Sequence, residues 1–433
     1  MSFIPLKIAI IGAGPAGLTM ALALTRRGAG SVTIFDVSDD HSIAATYNPD
    51  RSYSIDITGH GYRAANYVNI VSRFDKELIP FLGFRYAVPS WLYRYLPIYI
   101  PENYMGKGWT GSRGDICRAL LSELLSLKVS KLQILFNTKA EILDAKTGSL
   151  RISSAKEGLT YDECFDFIVA ADGAGSLTRG KLINQDNSFT VLSYDIPDHS
   201  IMLQLDKNVE ELDPRYLYIH AVKPVVAVSG AINGPKGSTD PRWFCQVRFS
   251  DDFSFDSEEQ AKALLIRANP LLLRYVSDSS LAEFSRRESI QIGRSKRCSS
   301  LAVDRVVFLG DAAAPIPPIG QGVNAAMESA IVLDHCLAQA QSQCPDSMSA
   351  IVLVRRLFNE QWQKETDALR EIAMTVDPSK SFTVMRLLIA SLLGYSAIAM
   401  SKKDSLSYQQ AWQNFQEGER RIRYTPLRWF ISG

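Results

Sequence analysis

Three short stretches hold residues whose types and spacing could do chemistry. In "GAGPAG", Gly12, Gly14 and Gly17 form a G-x-G-x-x-G around Ala16, and Asp36 follows 19 residues after Gly17. Such a turn lets backbone approach a pyrophosphate, and the dipole of the next helix meets its charge. Asp36 could then accept hydrogen bonds from ribose hydroxyls. In "VAADGAGSLTRG", Asp172 ends a strand, with Ser176 and Arg179 on the following turn. A capped turn without a ligand is the competing reading there. The third stretch, "GDAAAPIPPIGQGVNAA", closes a strand on Gly310-Asp311. Pro317 and Pro318 stiffen it, while Gly320 and Gly322 permit close approach. Asp311 could accept from a ligand hydroxyl, and backbone N–H groups from Gly322 through Val323 and Asn324 open the next helix toward negative charge.

These loops need elements to position them. "KIAIIGAGPAGLTMALALTRRGAGSVTIFD" reads as strand, glycine turn, helix and second strand, a βαβ start that predicts a parallel sheet with helices on its faces. Between about 200 and 250, "SIMLQL", "YLYIHAV", "VVAVSGAI" and "RWFCQVRF" are short, turn-separated and partly alternating. They predict an antiparallel sheet inserted into the α/β domain, with Trp243, Cys245, Val247 and Phe249 on one face and Gln246 and Arg248 on the other. That aromatic and aliphatic face is expected to roof a substrate cavity. The expected organisation is a Rossmann-like nucleotide-binding domain over 1–180 and 291–375, with a substrate-side excursion near 81–108. The inserted domain spans 181–290, and a helical C-terminal region covers 376–433.

Composition narrows the classes. Lys+Arg number 47 against 46 Asp+Glu, so no net field favours nucleic acid. The six cysteines form no CxxC, which suits a reducing, cytoplasmic setting, and the five histidines show no metal-ligand spacing. No signal peptide is expected, because the first apolar run is broken at once by glycines. "LLIASLLGYSAIAM" (Leu387 to Met400) is apolar for 14 residues, short of the roughly 20 a spanning helix needs. A buried helix is one reading; peripheral membrane contact through 383–400 is the other.

In their order, G-x-G-x-x-G, then D-G-x-x-S-x-x-R, then G-D with a Pro/Gly loop, the motifs resemble the single-component flavoprotein aromatic hydroxylases of the p-hydroxybenzoate hydroxylase fold. The resemblance spans about residues 7–340. Within that group it is similar to the kynurenine 3-monooxygenases, through "DRSYSIDITGHGYRAA", "GSRGDICRALL", "GQGVNAAMESAIVL" and "EQWQKETDALREIAM". The resemblance implies FAD held by Gly12, Gly14, Ala16, Gly17, Asp36, Arg113, Asp172, Arg179, Gly310, Asp311, Gly322, Val323 and Asn324. It implies NADPH as electron donor and O₂ as co-substrate, with an aromatic small molecule hydroxylated through a flavin C4a-hydroperoxide. Pro318, Gly320, Gln321 and Asn324 would line the reacting side of the ring, and Arg85 with Tyr99 or Tyr104 would hold a substrate carboxylate. Two departures stand out. Residue 314 is alanine where the group writes histidine, and the loop before "GQG" is one residue shorter. Those departures keep two alternatives in view: an FAD reductase or dehydrogenase without oxygen insertion, and a non-catalytic flavin-binding protein.

Overall fold

A computed structural model describes residues 5–375, 390 and 393–422, apart from 44, 46, 89, 91–92, 197, 223–224, 236–237, 239 and 250–254. Its centre is a six-stranded sheet in the order Ala302–Val303, Val306–Phe308, Phe167–Ala170, Leu6–Ile11, Gly30–Phe35, Leu132–Leu135. All neighbours are parallel except the short 302–303 edge. Strand Leu6–Ile11 is flanked on both sides, so its apolar run is buried almost throughout, as a central parallel strand requires. The helices Pro15–Arg27 and Gly322–Gln343 pack together, and small residues (Ala16, Ala326, Ala330) keep their contact close.

The second sheet has seven strands: Ile290–Gln291, His199–Leu205, Arg242–Phe249, Val225–Ile232, Tyr216–Val222, Gly83–Ala87, Tyr99–Asn103. Every pairing is antiparallel except that of 216–222 with 83–87. The expected "antiparallel insertion" is therefore a mixed sheet, because the 81–108 excursion adds its strands at one edge. The chain leaves and re-enters the parallel sheet through an antiparallel ribbon, Val191–Asp195 with Arg294–Cys298.

Which face looks where differs from the expectation. Trp243, Cys245, Val247 and Phe249 belong to a core with Ile201, Leu203 and the helices around Leu265, Leu272 and Phe284. That apolar face is covered by the sheet's own helices and cannot be a cavity roof. The opposite face carries Met202, Ile232 and Phe244 and packs on Tyr47 and Tyr53 of the nucleotide-binding side.

At the C-terminal end, part of the expected helix across Leu387–Met400 (387–389 and 391–392) lies outside the described residues. Of the remainder, Ala390, Ala397 and Met400 are buried and Leu393 is 55% exposed. No helix among the described residues is long and apolar enough to cross a membrane.

Candidate FAD and substrate site

The first glycine turn is built by contact. Gly12 has φ +107°, and a Cβ there would fall 2.4 Å from the carbonyl oxygen of Ala171. A Cβ on Gly17 would fall 2.0 Å from the oxygen of Gly12, so helix and turn touch directly. Gly14 is different: its Cβ would meet only Nη2 of Arg113, at 3.5 Å. Gly14 also N-caps the helix without a side-chain acceptor, which leaves first-turn N–H groups free for an anion. Asp36 accepts from the Ala13 N–H at 2.5 Å and from Ser38, which fixes the acid beside the turn.

The second and third loops are riveted to each other. Arg179 is 2% exposed, and its Nη1 donates to the oxygens of Ala312 (2.6 Å) and Asp311 (3.3 Å). Its Nη2 donates to the oxygen of Ala174 at 2.5 Å. Burial lowers its pKa, with Cys298, Asp172 and Asp311 acting the other way. The expectation that Arg179 contacts cofactor is corrected to that extent: carbonyl oxygens occupy both its Nη atoms. Asp172 accepts from the Thr178 N–H through Oδ2, while its buried Oδ1 has no protein partner. Asp311 is exposed, with its side chain open to the cleft. Desolvation by the surrounding loops raises its pKa, and the charges of Arg113 and Arg179 oppose the rise. Gly310 (φ +54°) leaves no room for a Cβ, which would lie 2.9 Å from Cβ of Ala326 and 3.3 Å from Cβ of Ala16. Ala16 is thus a close-packing residue.

The "IPPIGQGVN" loop turns its polar side chains inward. Asn324 is fully buried: Nδ2 donates to the oxygens of Asp56 (2.9 Å) and Gly320 (3.0 Å), and Oδ1 accepts from the Thr58 N–H. Gln321 is equally buried, and its Oε1 accepts from the Tyr408 hydroxyl at 3.2 Å. Neither side chain can act on a reacting atom. What faces outward is backbone, at Gly320, Gly322 and Val323, where the helix Gly322–Gln343 starts with no side-chain cap. Pro318 is half-buried beside them. Ala314 lines a narrow cavity together with Gly310, Asp311, Gly322, Trp362, Thr366 and Leu369. Asn324→Ala strands three buried backbone groups and is expected to cost about 2 kcal/mol or more by urea denaturation.

Of the residues expected to bind substrate, none turns its polar end to this cleft. Arg85 lies over the Tyr216 ring at 3.8 Å. Tyr99 packs on Tyr218 and His220, in the same buried layer as Tyr275. Tyr104 accepts from the Gly59 N–H and donates to the Lys402 oxygen, as a strut. Strand alternation puts Phe84 and Tyr86 on the face opposite Arg85, and Phe84 lies 5.3 Å from the Lys402 ammonium beside the loop. Tyr53 was not singled out from sequence, yet it bridges the sheets: burial raises its pKa, as does Asp311, with Arg113 opposing.

Two histidines are buried and held neutral. His60 stacks on Tyr408 with centroids 3.9 Å apart, and burial lowers its pKa to about 3, as it does for His220. Both rings take up a proton near pH 6.5 once unfolded, so stability should fall as pH drops from about 6.5 toward 3. The slope is about 1.4 kcal/mol per pH unit for each ring. His220→Leu should remove about half of this two-ring share, read as urea denaturation at pH 7, 6 and 5.

A glycine-turn cradle, two helix N-termini without side-chain caps and an unpartnered Asp172 oxygen fit a Rossmann-type dinucleotide site. The chain belongs to the family of the FAD binding domain, whose model matches residues 118–348. Residues 10–78 match an NAD(P)-binding Rossmann-like domain. Kynurenine 3-monooxygenase of Salinispora tropica is 25% identical over 431 residues, covering 92% of this chain and 84% of that protein. The Legionella pneumophila enzyme of that name is 26% identical, covering 85% and 78%. Among solved structures, 2-methyl-3-hydroxypyridine-5-carboxylic acid oxygenase superposes with TM-score 0.64 at 16% identity, covering 92% of this chain and 96% of that one. P. aeruginosa PqsL in complex with 2-aminobenzoylacetate gives 0.60 at 18%, covering 95% and 100%. By class the chain is an FAD-dependent monooxygenase.

Proposed function

We propose that this protein uses NADPH to reduce FAD and inserts one oxygen atom of O₂ into an aromatic or related ring, in the manner of kynurenine 3-monooxygenases. The observation that carries this reading is the convergence of three loops on one cleft. Gly14 and Arg113 stand on one side, and Asp311 with the 320–323 backbone on the other, under the Phe84 and Phe244 face of the second sheet. When bound, FAD supplies the electron transfer and the oxygen activation. The protein's part is placement. Gly14 and the first-turn N–H groups hold the pyrophosphate with Arg113, Asp36 holds ribose, and Asp172 and Asp311 accept from cofactor hydroxyls or amides. The uncapped N–H groups of Gly322 and Val323 stabilise negative charge on the reduced ring. Phe84, Tyr86, Met202 and Phe244 exclude water from the substrate.

The test is NADPH oxidation in ¹⁸O₂ by FAD-loaded protein with a panel of aromatic acids that includes L-kynurenine. One ¹⁸O atom in a product, formed in proportion to NADPH consumed, is the expected result. Peroxide alone with every compound would sink oxygen insertion and leave a flavin reductase.

A further inference from the structure

The loop under the proposed flavin ring is held from behind by residues far along the chain. Lys402 and Asp56 form an ion pair, Nζ to Oδ2 at 2.5 Å, with side chains only 4% and 3% exposed. The Thr58 hydroxyl donates to the same oxygen at 3.0 Å. The pair abuts Gly320: a Cβ there would lie 2.6 Å from Oδ1 of Asp56 and 3.1 Å from Nζ of Lys402. The next residue, Gln321, is held by the fully buried Tyr408. The same C-terminal segment is tied down through backbone, since Tyr104 donates to the Lys402 oxygen and Arg63 to the Asp404 oxygen at 2.7 Å. Taking both charges from water carries a large desolvation cost, so such a pair is weak evidence of stability. Its position asks for another role. Two contacts from one segment converge on consecutive residues of the loop, and both bear on where its outward-facing backbone lies.

We infer that Lys402 and Tyr408 are positioning residues that hold Gly320 and Gln321 in the shape that receives FAD, so that FAD binding and docking of segment 396–408 strengthen each other. Linkage requires the reciprocity: a contact that favours the FAD-binding loop shape is itself favoured by bound FAD. The inference rests on the proposed role of the loop as the seat of the ring.

The experiment measures FAD affinity by quenching of flavin fluorescence, and amide hydrogen exchange across 396–408 with and without FAD. It uses the full chain, Lys402→Met, Tyr408→Phe and the double variant Asp56→Asn/Lys402→Met. Lys402→Met leaves a buried carboxylate alone and is expected to weaken FAD about 10- to 100-fold. Tyr408→Phe should weaken it several-fold. The double variant should bind closer to the parent, because no lone buried charge remains. FAD should slow exchange across 396–408 in the parent and much less in Lys402→Met. If Lys402→Met fails to fold, Tyr408→Phe carries the comparison. Affinities within twofold of the parent in the folded single variants, with an unchanged exchange response, would overturn the inference alone. A parent that binds no FAD would overturn the reading of the loop beneath it.

Discussion

Gly14→Val is expected to yield an apoprotein that folds and melts like the parent while losing FAD by about 100-fold or more, or some 2.7 kcal/mol. The backbone at residue 14 is extended, φ −75° and ψ −178°, so a β-branched residue fits its torsions. A Cβ there would meet only the Arg113 guanidinium, at 3.5 Å, so the added side chain is expected to fill the space proposed for the pyrophosphate. Gly17→Ala makes the contrasting case. Its methyl group would sit 2.0 Å from the Gly12 oxygen, a backbone atom that cannot step aside without prising the helix from the turn. The expected cost is about 3 kcal/mol of fold stability, with FAD lost as a consequence. Thermal melts and flavin titrations on both variants separate the two roles. Unchanged affinity in Gly14→Val would mean that no phosphate sits there.

Arg179→Met should be among the most destabilising single changes in the chain. The side chain of methionine fills much of the same volume but leaves the oxygens of Ala174, Asp311 and Ala312 without their donor. Unsatisfied buried acceptors cost about 1–3 kcal/mol each, so a loss of about 3 kcal/mol or more is expected in urea. Arg179→Lys should recover little, since one ammonium cannot span carbonyls on two loops. A loss below about 1 kcal/mol would mean that water replaces the guanidinium at these oxygens.

The loops of the site were legible because each is a local device: glycines where a Cβ would strike backbone, an acid at a strand end, prolines before a helix start. The direction of the polar side chains was not. Gln321 and Asn324 stand at the right positions, but their amides satisfy buried partners at Tyr408, Asp56 and Thr58, which no local pattern identifies. Alternation in "GFRYA" separates Arg85 from Phe84 and Tyr86, and only one of those faces can meet the cleft. For Arg242–Phe249, alternation divided the residues correctly, but both faces carry aromatics, so sequence alone could not say which one the helices cover. The Asp56–Lys402 pair spans 346 residues and leaves no trace in either neighbourhood.

The interleaving of the parallel sheet has a consequence for how the protein comes off the ribosome. Strand Leu6–Ile11 lies between Gly30–Phe35, made almost at once, and Phe167–Ala170, which itself needs Val306–Phe308 beside it. At about 5–20 residues per second, the first strand waits many seconds for its sheet to close. The strands His199–Leu205 to Arg242–Phe249 pair mostly with near neighbours in sequence and can assemble while the rest is still being made. The nascent chain therefore carries a finished insertion between two halves of an open nucleotide fold. The last part of the cofactor loop's support is made later than the loop itself: Tyr408 follows Gln321, which it holds, by 87 residues. FAD supply should therefore do little for the yield of folded protein until synthesis has passed Tyr408.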